Sequence, residues 1–314
     1  MKNKILSTIL VAGLYFLTPL CVYAQQIRDT SSFHQPIMID EVVINAFQDG
    51  INVEDFIEII KEDTTFYKAF KSLHLQTYYA ENDIKVYDKR GEKIIASLVS
   101  ETKQIYRDDC RTMNVLEEEV TGNFYKRNGD YRYFTTELYA ELFFTEGKVC
   151  HENNIVKGSL EEESRGKGRI EKSKIQLKHL IFNPGHRISG IPPIGNKVAI
   201  FEPEIAKMYD FQIITEEKNG VACYLFEAKP KPEYERKVVI NLFRTWLRQS
   251  DFSMISRDYA LSYKFGVYDF DVKMHVDLKM VNNQLLPSYI TYDGNWFLIT
   301  KGRERVKFFA KFDY

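Results

Sequence analysis

After Leu73 the chain abandons helical spacing and alternates apolar with polar side chains, and the alternation is longest between Tyr268 and Met280. There Tyr268, Phe270, Val272, Met274, Val276, Leu278 and Met280 share one face, while Asp269, Asp271, Lys273, His275, Asp277 and Lys279 share the other. At about 3.4 Å per residue such a strand runs about 40 Å, so it predicts a wide curved sheet or a barrel and not a small sandwich. Asn128-Gly129, Asn219-Gly220, Asn282-Asn283 and Asp293-Gly294 stand between alternating runs. Each predicts a two-residue hairpin, because both turn residues must tolerate positive φ. Residues 123–125 and 131–134 read as the strands flanking the first of these turns.

Helical spacing is confined to two places. Asn52 is a good N-cap, with Glu54 and Asp55 in the first turn and Phe56, Ile57 and Ile60 on one face. Asp63-Thr64-Thr65 then breaks or recaps the helix, and Phe66, Phe70 and Leu73 continue the apolar face. A second, short helix carries Leu177, Leu180 and Ile181 together and stops at Asn183-Pro184-Gly185. Residues 161–174, almost without apolar side chains, predict an exposed charged loop near 152–170. Residues 190–195 read as a stiff connector and 37–46 as a strand. The fold class is mainly β (α+β): a large curved antiparallel sheet or open half-barrel with a few short helices.

The N-terminus changes the picture of where this sheet works. Lys2 and Lys4 precede an apolar run over 5–22, and Val22-Tyr23-Ala24 offers a cleavage site, the pattern of a secretory signal. Residues 1–24 are therefore read as a signal peptide, 25–35 as a polar leader and 36–314 as one β-rich domain. Leu20 stands where a lipoprotein signal would need a small residue ahead of Cys21, which argues against lipidation. No later stretch approaches the ~18 apolar residues of a spanning helix. The formal net charge is −1 and becomes more negative when Lys2 and Lys4 are lost, which argues against a nucleic-acid partner. Export permits disulfides. Cys110, Cys150 and Cys223 follow the cleavage site; Cys223 alternates with Val221 and Leu225 as a buried thiol would, so Cys110 and Cys150 are the candidate pair, although spacing alone does not fix it.

No catalytic or metal pattern survives inspection, and no cofactor is expected. Ser100-Glu101-Thr102-Lys103 matches a serine-x-x-lysine motif, but it lies in a run that reads as strand, not at the head of a helix. Cys150 and His151 are neighbours that a strand would turn to opposite faces. His275 and Asp277 share a face, yet without a histidine pair they read as a solvated polar surface, so that His275→Ala should be nearly silent. His179 and His186 are read as structural. The acidic runs at 108–109, 117–119 and 161–163 have nothing to set them in pairs across a cleft. Gly166-Lys167-Gly168 falls short of a phosphate loop, because Glu161 stands where the first glycine belongs.

The block 201–268 contains Phe201-Glu202-Pro203, Met208-Tyr209-Asp210-Phe211, a hairpin closing on Tyr224-Leu225-Phe226-Glu227-Ala228-Lys229-Pro230-Lys231, and a strand reaching Trp246 that resumes through Ile255-Ser256-Arg257. In this order of elements it resembles the lipoprotein-carrier half-barrels, and more closely exported β-rich proteins of Bacteroidota. Ile39-Asp40-Glu41-Val42-Val43-Ile44-Asn45-Ala46 is similar to the acidic-valine segment that in those bacteria closes a carboxypeptidase-regulatory-like module or precedes an outer-membrane receptor plug. The resemblance implies an open curved sheet whose mouth is plugged by helices. Phe270, Val272, Met274, Val276 and Leu278 would then line a cavity for an acyl chain or another hydrophobic envelope molecule.

Three readings follow. The first is a non-enzymatic periplasmic or envelope protein that binds a lipid, lipopeptide or similar molecule. The second is an envelope interaction or structural protein with no small ligand, partnered by an outer-membrane or envelope protein, in which the same side chains meet in a dry core. The third is an outer-membrane barrel, favoured by the alternation of Val306, Phe308, Ala310, Phe312 and Tyr314.

Overall fold

The computed structural model describes residues 53–156, 165–188, 194–265, 268–298 and 302–314, all within one compact unit, Ile37–Tyr314. The signal, the leader, the strand predicted over 37–46 and most of the connector at 190–195 lie outside the described residues. Eleven strands form one antiparallel sheet: β1 (Tyr78–Tyr87), β2 (Ile94–Arg107), β3 (Cys110–Gly122), β4 (Val149–Cys150), β5 (Tyr209–Lys218), β6 (Val221–Pro230), β7 (Ile240–Arg248), β8 (Met254–Phe265), β9 (Tyr268–Val281), β10 (Gln284–Leu298) and β11 (Gly302–Asp313). Their order is β4-β3-β2-β1-β11-β10-β9-β8-β7-β6-β5. Every neighbouring pair is consecutive in sequence except β1 with β11, which closes the chain's two halves into one sheet. No pairing joins β5 back to β3 or β4 among the described residues, so the sheet is open and curved and not a closed barrel.

The helices cover one face of it: α1 (Val53–Glu62), α2 (Thr65–Leu73), α3 (Phe134–Phe143), α4 (Arg169–Phe182), and the single turns α5 (Ile194–Lys197) and α6 (Pro203–Ala206). This inner face carries the apolar set of the long strand. Phe270, Val272, Met274, Val276 and Leu278 are at most 6% exposed, with Phe66, Phe70 and Leu73 of α2 in the same buried cluster. Val306, Ala310 and Phe312 of β11 join them. The charged set of β9 faces outward, the reverse of what a lipid-embedded barrel requires. Among the described residues no helix is long and apolar enough to cross a membrane.

Turn chemistry decided the hairpins one by one. Asn219-Gly220 and Asn282-Asn283 adopt positive φ at both residues (53° and 77°, 48° and 62°) and join β5 to β6 and β9 to β10. Asn128 does not; only Gly129 is left-handed (φ 88°), and the Lys126 carbonyl accepts from its N–H at 3.1 Å, with a single bridge between Tyr125 and Tyr131 beyond the turn. Asp293-Gly294 is not a turn. It lies inside β10, paired to Lys273 and Val272 on one side and to Lys307 and Val306 on the other. The glycine is there for space: a Cβ at 294 would stand 2.1 Å from the Tyr292 hydroxyl, whose ring lies over the position.

Two helices depart from expectation. α4 begins at Arg169, inside the stretch read as a charged loop, so that loop is shorter than its composition predicts. α3 replaces the end of a predicted strand. Its apolar and polar residues do not fall into a clean helical stripe, since Phe134, Leu138, Tyr139, Ala140 and Phe143 are all buried. Its N-cap, Tyr133, gives no side-chain cap; instead Glu304 of β11 accepts from the Phe134 N–H at 2.9 Å and the Thr135 N–H at 3.0 Å. The carboxylate meets both orphan donors and the positive end of the helix dipole. Glu304 stands 170 residues from Phe134 in the chain.

Candidate ligand cleft

The inner face is apolar under α2 but polar where β1 and β2 run beneath α3, and the polar groups fix the helices in place. Asn82 on β1 donates to Ser100 Oγ (3.3 Å) and Thr102 Oγ1 (3.4 Å) on β2, and accepts from the Tyr139 hydroxyl of α3 at 2.8 Å. Gln104, fully buried, donates to the carbonyls of Leu73 (3.1 Å) and Gln76 (2.8 Å) and so caps the end of α2. Its amide oxygen accepts from Thr145 Oγ1 at 3.0 Å. Arg111 on β3 donates to Glu152, to Thr145 Oγ1 and to the Phe144 carbonyl at the end of α3. Partial burial of Glu152 disfavours its charge, but the bonds from His74 and Arg111 outweigh it and hold the carboxyl down at about 2.

Beyond these anchors the roof stops. Register places Val115 opposite Thr102, Glu118 opposite Ser100 and Val120 opposite Leu98, so all three β3 side chains face inward with their partners. Thr102, Ser100 and Leu98 are buried, whereas Val115 is 58% and Val120 38% exposed. The space over Ser100, Thr102, Val115 and Glu118 is a cleft of about 780 Å³. Ser100, Thr102, Met113 and Val115 form its floor, Ala140 and Phe144 one wall, and the Tyr125–Tyr131 turn the other. The two tyrosine rings are 5.3 Å apart; burial first, and then neighbouring groups including Glu118, raise both phenols above their ordinary range. A cleft of this size, its floor half polar (Ser100, Thr102) and half apolar (Met113, Val115), falls within the size range of small-molecule sites.

The five side chains expected to line a cavity, Phe270, Val272, Met274, Val276 and Leu278, do not border this cleft. The structure places them in the packed core beneath α2. Val115 carried no sequence signal of its own, since the alternation along β3 is broken by a β-bulge between β2 and β3.

The motifs set aside in the sequence take definite positions. Ser100 faces inward while Lys103 faces outward and donates to the Tyr79 hydroxyl at 2.7 Å, so the two never meet. A disulfide joins Cys110 to Cys150 across β3 and β4 (S–S 2.05 Å), and Cys223 is buried and free. His151 Nδ1 lies 2.7 Å from Asp109 Oδ2. His186 donates from Nε2 to the Lys61 carbonyl at the end of α1.

His275 corrects one expectation. It is not a freely solvated side chain: Asp258 Oδ1 on β8 lies 2.5 Å from Nδ1, and Asp277 Oδ2 lies 3.2 Å from Nε2. These two carboxylates, Asp258 first, raise its pKa to about 9, against the smaller opposing effect of burial. The imidazole is therefore charged at neutral pH. It sits in a groove of about 620 Å³ on the outer face, with Lys85, Lys273 and Lys307 along it. Among the described residues no group of three metal-ligating side chains converges.

No family model matches the sequence, and no curated protein does. Solved structures give loose likenesses. A DUF1329 family protein from Desulfovibrio piger covers 80% of this chain and 92% of its own at 12% identity and TM-score 0.23. A domain from Vibrio parahaemolyticus described as outer membrane lipoprotein-sorting covers 83% and 94% at 7% identity and TM-score 0.26. A LolA superfamily protein from Nitrosomonas europaea covers 80% and 90% at 8% identity and TM-score 0.23.

Proposed function

We propose that this is a non-enzymatic envelope protein, exported to the periplasm or the periplasmic side of the outer membrane, that binds a lipid, lipopeptide or other amphipathic molecule in the cleft between β2, β3 and α3. The observation that carries the reading is the exposure of Val115, on the cleft floor, on an inner face that helices cover elsewhere. Apolar side chains pointed into an open concavity gain by covering with another apolar surface, at about 25 cal/mol per Å² removed from water. The polar anchors on Asn82 and Arg111 tie α3, which carries the Ala140 and Phe144 wall, to the sheet, so that wall stands without a ligand to prop it.

The test uses the chain from Gln25 purified from periplasm without detergent. Native mass spectrometry is expected to find a co-purifying amphiphile, and the fluorescent probe N-phenyl-1-naphthylamine to bind the emptied protein. Val115→Asp should weaken the probe about ten-fold, while Val99→Asp, also exposed but facing outward opposite Glu119, should not. An empty protein that ignores the probe, or two variants with the same effect, would overturn the reading. The second reading, an interaction protein without a small ligand, draws on the dry packing of Phe270, Val272, Met274, Val276 and Leu278. It expects the first of those negative results.

A further inference from the structure

The last full-length strand at one end of the sheet is β3, and most of its outer edge is bare. β4 pairs with it only at Cys110 and Arg111, so from Thr112 to Gly122 no strand lies on that side among the described residues. Residues 114–122 are exposed without interruption. A row of unpaired N–H and C=O groups along such an edge is a template for another strand. Here the template also has apolar grip, since Val115 (58%), Leu116 (49%) and Val120 (38%) all stand in solvent. The opposite edge, β5, exposes no large hydrophobic side chain.

Between those apolar residues lies Glu117-Glu118-Glu119, and its charge says what can pair there. Glu117 stands directly opposite Glu101, which stands opposite Glu81. Lys311 answers Glu81 at 2.7 Å, but among the described residues no cation pairs with Glu101, Glu117 or Glu119. Like charges across a sheet are destabilising. A second copy adding its own β3 would set one glutamate run beside another, and its β5 would bring Glu216 and Glu217. The charge that rejects both copies suits an extended segment with the opposite sign.

We propose that the free edge of β3 accepts an extended segment of a protein partner as an added strand, with lysine or arginine side chains of that segment opposite Glu117 and Glu119. Backbone hydrogen bonds supply the attachment and the alternate side chains the selection. The strand would also extend the inner wall of the ligand cleft, yet it makes its own contacts at the edge and on the outer face.

The experiment measures amide hydrogen exchange in the chain from Gln25 with three synthetic octapeptides: alternating Lys-Val, alternating Glu-Val, and Lys-Val with one central Val replaced by Pro. The Lys-Val peptide is expected to protect amides within 111–122, binding about ten-fold tighter than the Glu-Val peptide, and the proline peptide to protect nothing. The double variant Glu117→Lys, Glu119→Lys, checked for an unchanged circular dichroism spectrum, should reverse the preference. The proposal is overturned by absence of protection with Lys-Val, by protection outside 111–122, by equal binding of the two charged peptides, or by a preference the double variant leaves unchanged. Concentration-dependent protection of the same amides without peptide would assign the edge to a second copy and also overturn it.

Discussion

Glu304→Leu tests the central claim about how α3 is held over the sheet. Glu304 is 9% exposed, and both of its oxygens receive a backbone N–H of the helix start, with Thr135 Oγ1 adding a third donor at 3.2 Å. Losing a cap of this kind costs about 1 kcal/mol. Leaving two buried N–H groups without a partner adds about 1–3 kcal/mol each. Leucine replaces the volume but accepts nothing, so a total of about 3 kcal/mol, the lower end of these ranges, is expected. For a chain of this length that corresponds to a fall in Tm of about 6–12 °C. Glu304→Gln keeps one acceptor oxygen and should cost only about 1 kcal/mol. Urea denaturation gives the free energies, and hydrogen exchange should show the loss concentrated in 134–143. If both variants stay within about 0.5 kcal/mol of the parent, the strand-borne cap does not hold the helix.

Two further perturbations address other parts of the molecule. The folded pKa of His275, about 9, lies above its ordinary 6.5, so its pairing with Asp258 and Asp277 stabilises the fold fully below pH 6.5 and ceases to do so as pH rises through 9. With the side chain about one quarter exposed, the parent should exceed His275→Gln by about 2 kcal/mol at pH 6 and converge with it by pH 10, read from urea midpoints; a constant difference would refute the pairing. For the chain from Gln25, thiol titration in denaturant should find one reactive cysteine, Cys223, before reduction and three afterwards, and three at the outset would remove the Cys110–Cys150 bond.

Some elements were legible because their cause is local. Asn219-Gly220 and Asn282-Asn283 announce hairpins, since the residues that allow positive φ are the turn itself. The recapping of α1 by α2 is written in Asp63-Thr64-Thr65, where Asp63 Oδ1 accepts from the Thr65 N–H at 3.0 Å. Asp293-Gly294 has the same local signature and misleads, because the glycine answers a neighbouring ring and not a turn. α3 was hidden for the converse reason: its cap and its buried faces come from β11 and β1, distant in the chain.

The same division holds for the site. Period-two alternation by itself determined an extended antiparallel sheet with one apolar face, because strand geometry sends successive side chains to opposite sides whatever surrounds them. It could not say which stretch of that face would be roofed. That depended on where α2 and α3 dock, and docking is fixed by Gln104, Arg111, Asn82 and Glu304, single polar groups whose partners lie far away in sequence. Tertiary structure therefore closed the long strand at 268–281 into the core and left β3 open, at both its inner face and its edge.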